Sequence, residues 1–187
     1  MTVCGIVLAA GAGTRFGGPK ALARAADGTP WIDRAAQTLA AAGCTPVLIV
    51  LGAARDEAAP LVPPGAVIVD AVDWAGGLSA SVRAALAAAA ETDADAALMI
   101  PVDVPDLPAS ACLRVLEAAD AAPVATAALA QATYDGAPGH PALIGRAHWP
   151  AVSAAVTGDR GAGPYLRAHG ALEIECGDLW HGRDVDR

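Results

Sequence analysis

Residues 2–20 read Thr2-Val3-Cys4-Gly5-Ile6-Val7-Leu8-Ala9-Ala10-Gly11-Ala12-Gly13-Thr14-Arg15-Phe16-Gly17-Gly18-Pro19-Lys20, and two patterns meet in that one stretch. Residues 2–8 form a continuous apolar or β-branched run, the signature of a strand buried on both faces of a parallel sheet. No basic residue precedes residues 3–10 and they pass directly into glycines, so they read as a strand and not as the apolar part of a signal peptide. The loop that follows holds four glycines, Gly11, Gly13, Gly17 and Gly18, and two cations, Arg15 and Lys20. Backbone N–H groups with no side chain beside them can approach an anion closely. Arg supplies 11 of the 12 basic residues, so Lys20 is the one lysine of the chain. A flexible ammonium at the end of a glycine loop suits a phosphate whose charge migrates; a turn with a solvated lysine is the plain alternative.

Working outward, short apolar runs alternate with Ala-rich, Arg-dotted segments, as when strands and crossover helices take turns about a parallel sheet. Strands are expected over residues 2–8, 47–51, 66–69, 97–100, 124–128, 142–144 and 171–175, and helices over 30–42, 79–90, 108–119, 146–156 and 162–169. Thr29 reads as an N-cap with Pro30 at the first helical position, and Gly43 as the stop of the same helix. Residues 131–141, with their Gly, Pro and polar side chains, are expected to form a long functional loop. The fold class is α/β: a three-layer, Rossmann-like arrangement with a mostly parallel central sheet, in a single domain over residues 1–187. Ligands of such sheets collect beyond the carboxyl ends of the strands, which directs attention to the loops after Leu8, Leu51, Val69, Ile100 and Ile144.

Composition narrows the function classes. A length of 187 residues is that of one domain, and about a quarter of them are Ala, so helices should pack closely through small contact residues. Twelve Lys plus Arg against 20 Asp plus Glu give a net charge of −8 and a pI near 4.7. That field repels a phosphate polymer, so no nucleic-acid partner is expected. Cys4, Cys44, Cys112 and Cys176 form no C-x-x-C pair, which points to free thiols in a cytoplasmic protein. The longest Ala-rich run, residues 84–90, is too short to cross a bilayer, so no membrane partner is expected either.

Two common phosphate motifs are excluded by register. A Walker loop needs Gly-Lys-Ser/Thr, whereas Gly18 is followed by Pro19, Lys20 and Ala21. A dinucleotide fingerprint needs Gly-x-Gly-x-x-Gly, whereas Gly11, Gly13 and Gly17 are one residue too wide, and Gly52 and Arg55 stand where an acidic ribose partner would. Arg55 could meet a 2′-phosphate, which keeps an NADPH reading open. The stretch Leu-Ala-Ala-Gly-x-Gly-x-Arg-x-Gly with Lys20 after it resembles the signature loop of the MobA-like nucleotidyltransferases, and most closely the branch that attaches CMP to molybdopterin cofactor. The resemblance implies that Leu8, Ala9, Ala10, Gly11 and Gly13 hold the base and triphosphate and that Arg15 and Lys20 contact phosphate oxygens. Ala10 stands where the guanylyl-transferring branch more often has Gly; its methyl group would narrow the slot for the base and favour CTP over GTP.

The resemblance continues along the chain. Residues 73–81, Asp-Trp-Ala-Gly-Gly-Leu-Ser-Ala-Ser, are similar to the family's Gly-Leu-Ser-x-Ser segment and imply nucleotide contacts from Gly77, Ser79 and Ser81; helix capping by Ser79 is the alternative. Residues 99–107 end a buried strand with two carboxylates, where a charge persists only if something neutralises it. By resemblance to the family's Gly-Asp-x-Pro motif, Asp103 binds Mg2+, while Asp106 reads as part of the next helix's cap. Asp184-Val185-Asp186 resembles the start of the motif whose second aspartate completes the metal site, which implies Asp186; a frayed acidic tail is the other reading. Gly139-His140-Pro141 and Gly158-Asp159-Arg160-Gly161 resemble elements on the acceptor side, implying His140 and Asp159 there, although a lone histidine is commonly structural.

Taken together, the resemblance implies a Mg2+-dependent enzyme that transfers NMP, CMP from CTP, to a phosphorylated acceptor such as molybdopterin cofactor. Pyrophosphate leaves, Arg15, Lys20 and Asp103 are the catalytic set, and a molybdoenzyme is a possible partner. Two other readings stay open. Some MobA-like proteins, those resembling nicotine blue oxidoreductase, are described as redox enzymes, which would make this an NAD(P)H-dependent oxidoreductase. A chaperone that holds molybdopterin without chemistry is the third, although simple holding has no need of a metal-binding aspartate.

Overall fold

Strand β2, Val47–Leu51, is buried at all five positions, as its unbroken β-branched and leucine sequence demands when helices cover both faces of a sheet. The computed structural model describes residues 1–185. It places β2 beside β1, Val3–Ala9, in a seven-stranded sheet of order β3-β2-β1-β4-β6-β5-β7. The others are β3, Ala66–Asp70; β4, Ala96–Pro101; β5, Leu129–Tyr134; β6, Ala137–Gly145; and β7, Leu172–Glu175. All pairs are parallel except β4·β6 and β5·β6, because β6 runs against the rest.

The period-2 alternation of the strands divides the core in two. Val7, Ile49, Leu98, Ile100 and Leu143 face α1 (Trp31–Ala41) and α4 (Ala109–Asp120). Cys4, Ile6, Leu48, Val50 and Ile144 face α3 (Leu78–Ala90), α5 (Trp149–Ala155) and α6 (Gly163–Ala168). A short α2, Arg55–Ala58, follows β2. Gly5 lets α1 settle on β1, since a Cβ there would stand 3.0 Å from Leu39. All four cysteines are buried and free, and burial pushes the Cys44 and Cys112 thiols up to about 12, well away from thiolate chemistry.

Several expectations are corrected. Residues 124–128 are not a strand; Ala125–Ala127 is a 3-10 turn leading into β5. Residues 131–141 are not a loop but the β5–β6 hairpin, closed by Asp135 (φ 53) and Gly136 (φ 75). Thr29 does not cap α1: Pro30 occupies the N-cap, and Asp27 Oδ1 takes the Thr29 N–H instead at 2.9 Å. Gly43, at φ 86, does follow the helix as its stop. Asp106 does not cap α4, whose N-cap is Pro108, but pairs with Arg34 at 3.0 Å. Because β6 is antiparallel, the loop after Ile144 lies at the edge away from the other carboxyl ends, where Arg146 donates to the Ala94 carbonyl at 2.7 Å. Among the described residues no helix is long and apolar enough to cross a membrane.

Candidate active site

The chain lays β1, β2 and β3 outward in one direction and then crosses back to set β4 on the other side of β1. Strand order therefore reverses at the β1/β4 pair, the place where an open sheet parts its loops into a crevice. A cleft of about 700 Å3 opens there, and Leu8, Ala9, Ala10, Gly11, Gly13, Arg15, Lys20, Gly77, Ser81, Asp103 and Asp159 all line it. Of the thirteen residues expected at the site among those described, eleven thus converge on one hollow.

The glycine loop keeps its shape by closing on itself. Gly13 (φ 59) accepts from the N–H groups of Phe16 at 2.9 Å and Gly18 at 3.1 Å, and a Cβ on Gly13 would overlap the Gly18 carbonyl. Beyond it a 3-10 turn, Lys20–Leu22, aims Lys20 at the end of β4. Lys20 Nζ lies 2.7 Å from Asp103 Oδ2 and 5.7 Å from the centre of the Phe16 ring, with the ion pair 17% exposed on each side. Asp103 Oδ1 is buried and has no hydrogen-bond partner among the described residues. The Arg15 side chain has no hydrogen bond or ion pair among the described residues and stands exposed at the rim.

The opposite wall is the start of α3. Gly77 holds the N-cap at φ 92, and a Cβ there would stand 2.6 Å from Asp159 Oδ1 and 2.7 Å from the Gly158 carbonyl carbon. Only glycine lets the 158–159 loop lie against the helix end, where the Ser79 N–H donates to the Gly158 carbonyl at 2.9 Å. Asp159 accordingly sits in the same cleft as the glycine loop. The Ser79 side chain turns away from the cleft: it is 1% exposed, and its hydroxyl accepts from Arg83 Nη2 at 3.2 Å. Ser81, two residues on and so on a different side of the helix, lines the cleft.

His140 does not line it either. It lies on β6 next to the end of β4, where Met99 pairs with Ala142. Its Nδ1 is buried without a hydrogen-bond partner among the described residues, and burial lowers the pKa of the ring against the opposing pull of Asp103 and Asp184. Asp186 lies outside the described residues. Its neighbour Val185 donates its N–H to the Asp103 carbonyl at 2.8 Å, so the terminal segment does return to the end of β4. Sequence reasoning passed over Trp74 and Phe16, both in the lining; aromatic side chains in the loops at strand carboxyl ends were the available signal. Arg55 is bonded to Asp70 at 2.9 Å and does not line the cleft, which leaves it unsuited to a 2′-phosphate.

Whether a divalent cation suits this cleft turns on Asp103. A hard cation takes oxygen ligands and is commonly held by one or two carboxylates together with substrate phosphates. The unpartnered Oδ1 at a strand end beside a phosphate-type loop fits that description. Among the described residues no three His, Cys, Asp or Glu side chains cluster into a site built by protein alone.

The sequence pattern of the MobA-like NTP transferase domain matches residues 5–173. Nicotine blue oxidoreductase of Paenarthrobacter nicotinovorans is 36% identical over 191 aligned positions, which cover 98% of this chain and 92% of that protein. The crystal structure of a homologue of Mycobacterium tuberculosis Rv0371c from Mycobacterium sp. strain JC1 superposes with a TM-score of 0.81 at 27% identity, covering 98% of this chain and 90% of the other. Rv0371c of Mycobacterium tuberculosis in complex with manganese shares the fold, with a TM-score of 0.74 at 22% identity over 94% and 88% of the two chains.

Proposed function

The chain belongs to the MobA-like NTP transferase family, and from that premise we propose that it is a divalent-cation-dependent nucleotidyltransferase. In this reading it moves CMP from CTP onto the phosphate of a molybdopterin-type acceptor. The observation that carries it is the meeting of the glycine loop, Lys20 and Asp103 in one cleft. Support for a divalent cation comes from the unpartnered Asp103 oxygen and from the manganese complex of Rv0371c; the physiological ion in this reading is Mg2+.

An acceptor phosphate oxygen attacks the α-phosphorus in line, forming the new P–O bond as the bond to the leaving pyrophosphate breaks. The acceptor is ionised at neutral pH, so no general base is required of the protein. The backbone N–H groups of the glycine loop cradle the triphosphate, Lys20 moves from Asp103 to a phosphate oxygen, and Arg15 meets the leaving group. A divalent cation bound at Asp103 supplies Lewis-acid relief of charge on the phosphate oxygens. Gly77 and Ser81 border the nucleotide on the α3 side.

Ala10 lines the cleft and is only 3% exposed, a tight wall that favours the smaller pyrimidine. Pyrophosphate release measured with CTP and GTP, with and without molybdopterin cofactor, tests the reading. CTP should exceed GTP in kcat/KM by roughly 10- to 200-fold, the range for one small steric group, and Ala10→Gly should move the ratio toward GTP. Equal efficiencies in the wild type would remove the cytidylyl assignment.

A second reading follows from the 36% identity to nicotine blue oxidoreductase: an NAD(P)H-dependent reductase on the same scaffold. Titration with NADPH decides between them, since the reductase reading requires saturable binding that CTP displaces.

A further inference from the structure

The chain has a single phenylalanine and a single lysine, Phe16 and Lys20, and the fold brings the two together. Lys20 Nζ stands over the Phe16 ring, 5.7 Å from its centre, within the range at which the negative face of an aromatic ring attracts an ammonium. The ring is itself anchored. Its centroid lies 5.4 Å from that of Trp31, tilted by 48°, and Trp31 is a core residue at the first position of α1, only 6% exposed. The Phe16 N–H donates to the Gly13 carbonyl at 2.9 Å and the Trp31 N–H to the Ala23 carbonyl at 3.0 Å, so the glycine loop, the turn that carries Lys20 and the start of α1 are joined around this ring.

An aliphatic side chain would fill the space against Trp31 as well as a phenyl group does. What a ring alone supplies is a face that attracts the ammonium, and the attraction is strongest where water is kept away. The pair of Lys20 with Asp103 is such a place, with each side chain 17% exposed. The lysine stem is long and flexible, and in the transfer reaction its head must change partners, from Asp103 Oδ2 at 2.7 Å to a phosphate oxygen.

We propose that Phe16 is a positioning residue, whose ring face holds the Lys20 ammonium while it passes from Asp103 to the nucleotide. The charge then reaches the phosphate confined to one small region, and the cost of ordering a free side chain in the transition state falls. The role in transfer rests on the transferase reading; the pairing of ring and ammonium does not.

Because Phe16 is the only phenylalanine, expression on mono-, di- and trifluorinated phenylalanine with a relaxed synthetase alters that ring alone, each fluorine weakening its negative face while nearly keeping its shape. With an unchanged circular dichroism spectrum, kcat/KM should fall step by step to about 3- to 30-fold below wild type, the range for one cation–π contact. In Lys20→Ala the same series should be flat. Phe16→Leu should show the full loss, whereas Phe16→Tyr, which keeps the face, should turn over as the wild type does. A flat series in the wild-type background, or an equal slope in Lys20→Ala, would reduce the ring to packing and overturn the role. The lone lysine, labelled with carbon-13 at Cε, gives a readout that needs no turnover: its ε-proton signal should lie upfield of its place in the urea-unfolded chain and move back in Phe16→Leu. An unshifted signal in the wild type would overturn the pairing itself. If the signal is shifted but the wild type releases no pyrophosphate with CTP and molybdopterin cofactor, the transferase reading fails and the pairing stands. If transfer proceeds at equal kcat/KM throughout the fluorinated series, the positioning role fails and the transferase reading stands.

Discussion

Lys20 and Asp103 are the two side chains on which the proposed chemistry rests, and each can be probed without touching the core. Lys20 lies in a loop turn outside both halves of the core, so Lys20→Ala should retain the circular dichroism spectrum of the wild type. It should nonetheless lose at least about 100-fold in kcat/KM, the scale for one preorganised charge facing a transition state. A variant with near wild-type turnover would contradict the role given to the ammonium. Asp103→Asn keeps the shape and removes the charge, so Mn2+ titration in the presence of nucleotide should show weaker binding; an unchanged isotherm would place the ligand elsewhere. Both residues were legible in the sequence, Lys20 because the chain otherwise uses only Arg, and Asp103 because a carboxylate at the end of a buried strand needs a partner. Ser79 and His140 were not legible, because nothing in the sequence tells which way a side chain turns once its backbone reaches the site: Arg83 draws one inward, and burial at the end of β4 encloses the other.

At the scale of elements, the parallel half of the sheet was readable because its strands are unbroken apolar runs, β2 to the residue. The antiparallel half was not. Asp135-Gly136 is a two-residue hairpin turn with both φ angles positive, but Pro138, Gly139 and Pro141 beside it read as loop. They are tolerated because β6 pairs with β4 only from Ala142 onward, so its first half has a neighbour on one side alone. Glu175 fastens this hairpin to β7, accepting from the N–H groups of Gly177 at 2.8 Å, Asp135 at 3.1 Å and Gly136 at 3.2 Å and from the Thr133 hydroxyl at 3.0 Å. Those donors, the Gly177 and Gly136 N–H groups first, hold its carboxyl below the usual range. A lowered folded pKa adds stability above the ordinary carboxylate range that is lost as pH falls through the lowered value. Glu175→Gln should therefore melt below wild type at pH 7, with the gap closing as pH drops under about 4.5; a gap that persists in acid would assign the effect to packing. Gly77→Ala, which combines a positive φ with a clash against the 158–159 loop, should cost about 1–3 kcal/mol and weaken nucleotide binding together with stability. Loss of neither would mean that the α3 end and that loop are not pinned as described.

The whole molecule offers a label-free readout of its ligand. Anything that binds only the folded chain stabilises it by about 2.7 kcal/mol at a hundred times Kd, which for a domain of this size raises Tm by roughly 5–10 °C. CTP with Mn2+ should give that shift, with GTP trailing and NADPH giving none; a shift from NADPH alone would favour the reductase reading. The contact between Lys20 and Asp103, which joins the first loop to the end of β4 across the centre of the sheet, has one further consequence. The carboxylate that would ligate a cation is held by the protein's own ammonium until a triphosphate draws that ammonium away. Nucleotide and metal then exchange places with an internal counter-ion, so their affinities are thermodynamically linked, each tightening the other by the same factor. In Lys20→Ala the internal competitor is gone: Mn2+ alone should bind more tightly than to wild type, and a non-hydrolysable CTP analogue should tighten it less. On the proposed function, the lysine would thereby enforce an order of arrival, keeping the cation site shut to metal that comes without its nucleotide.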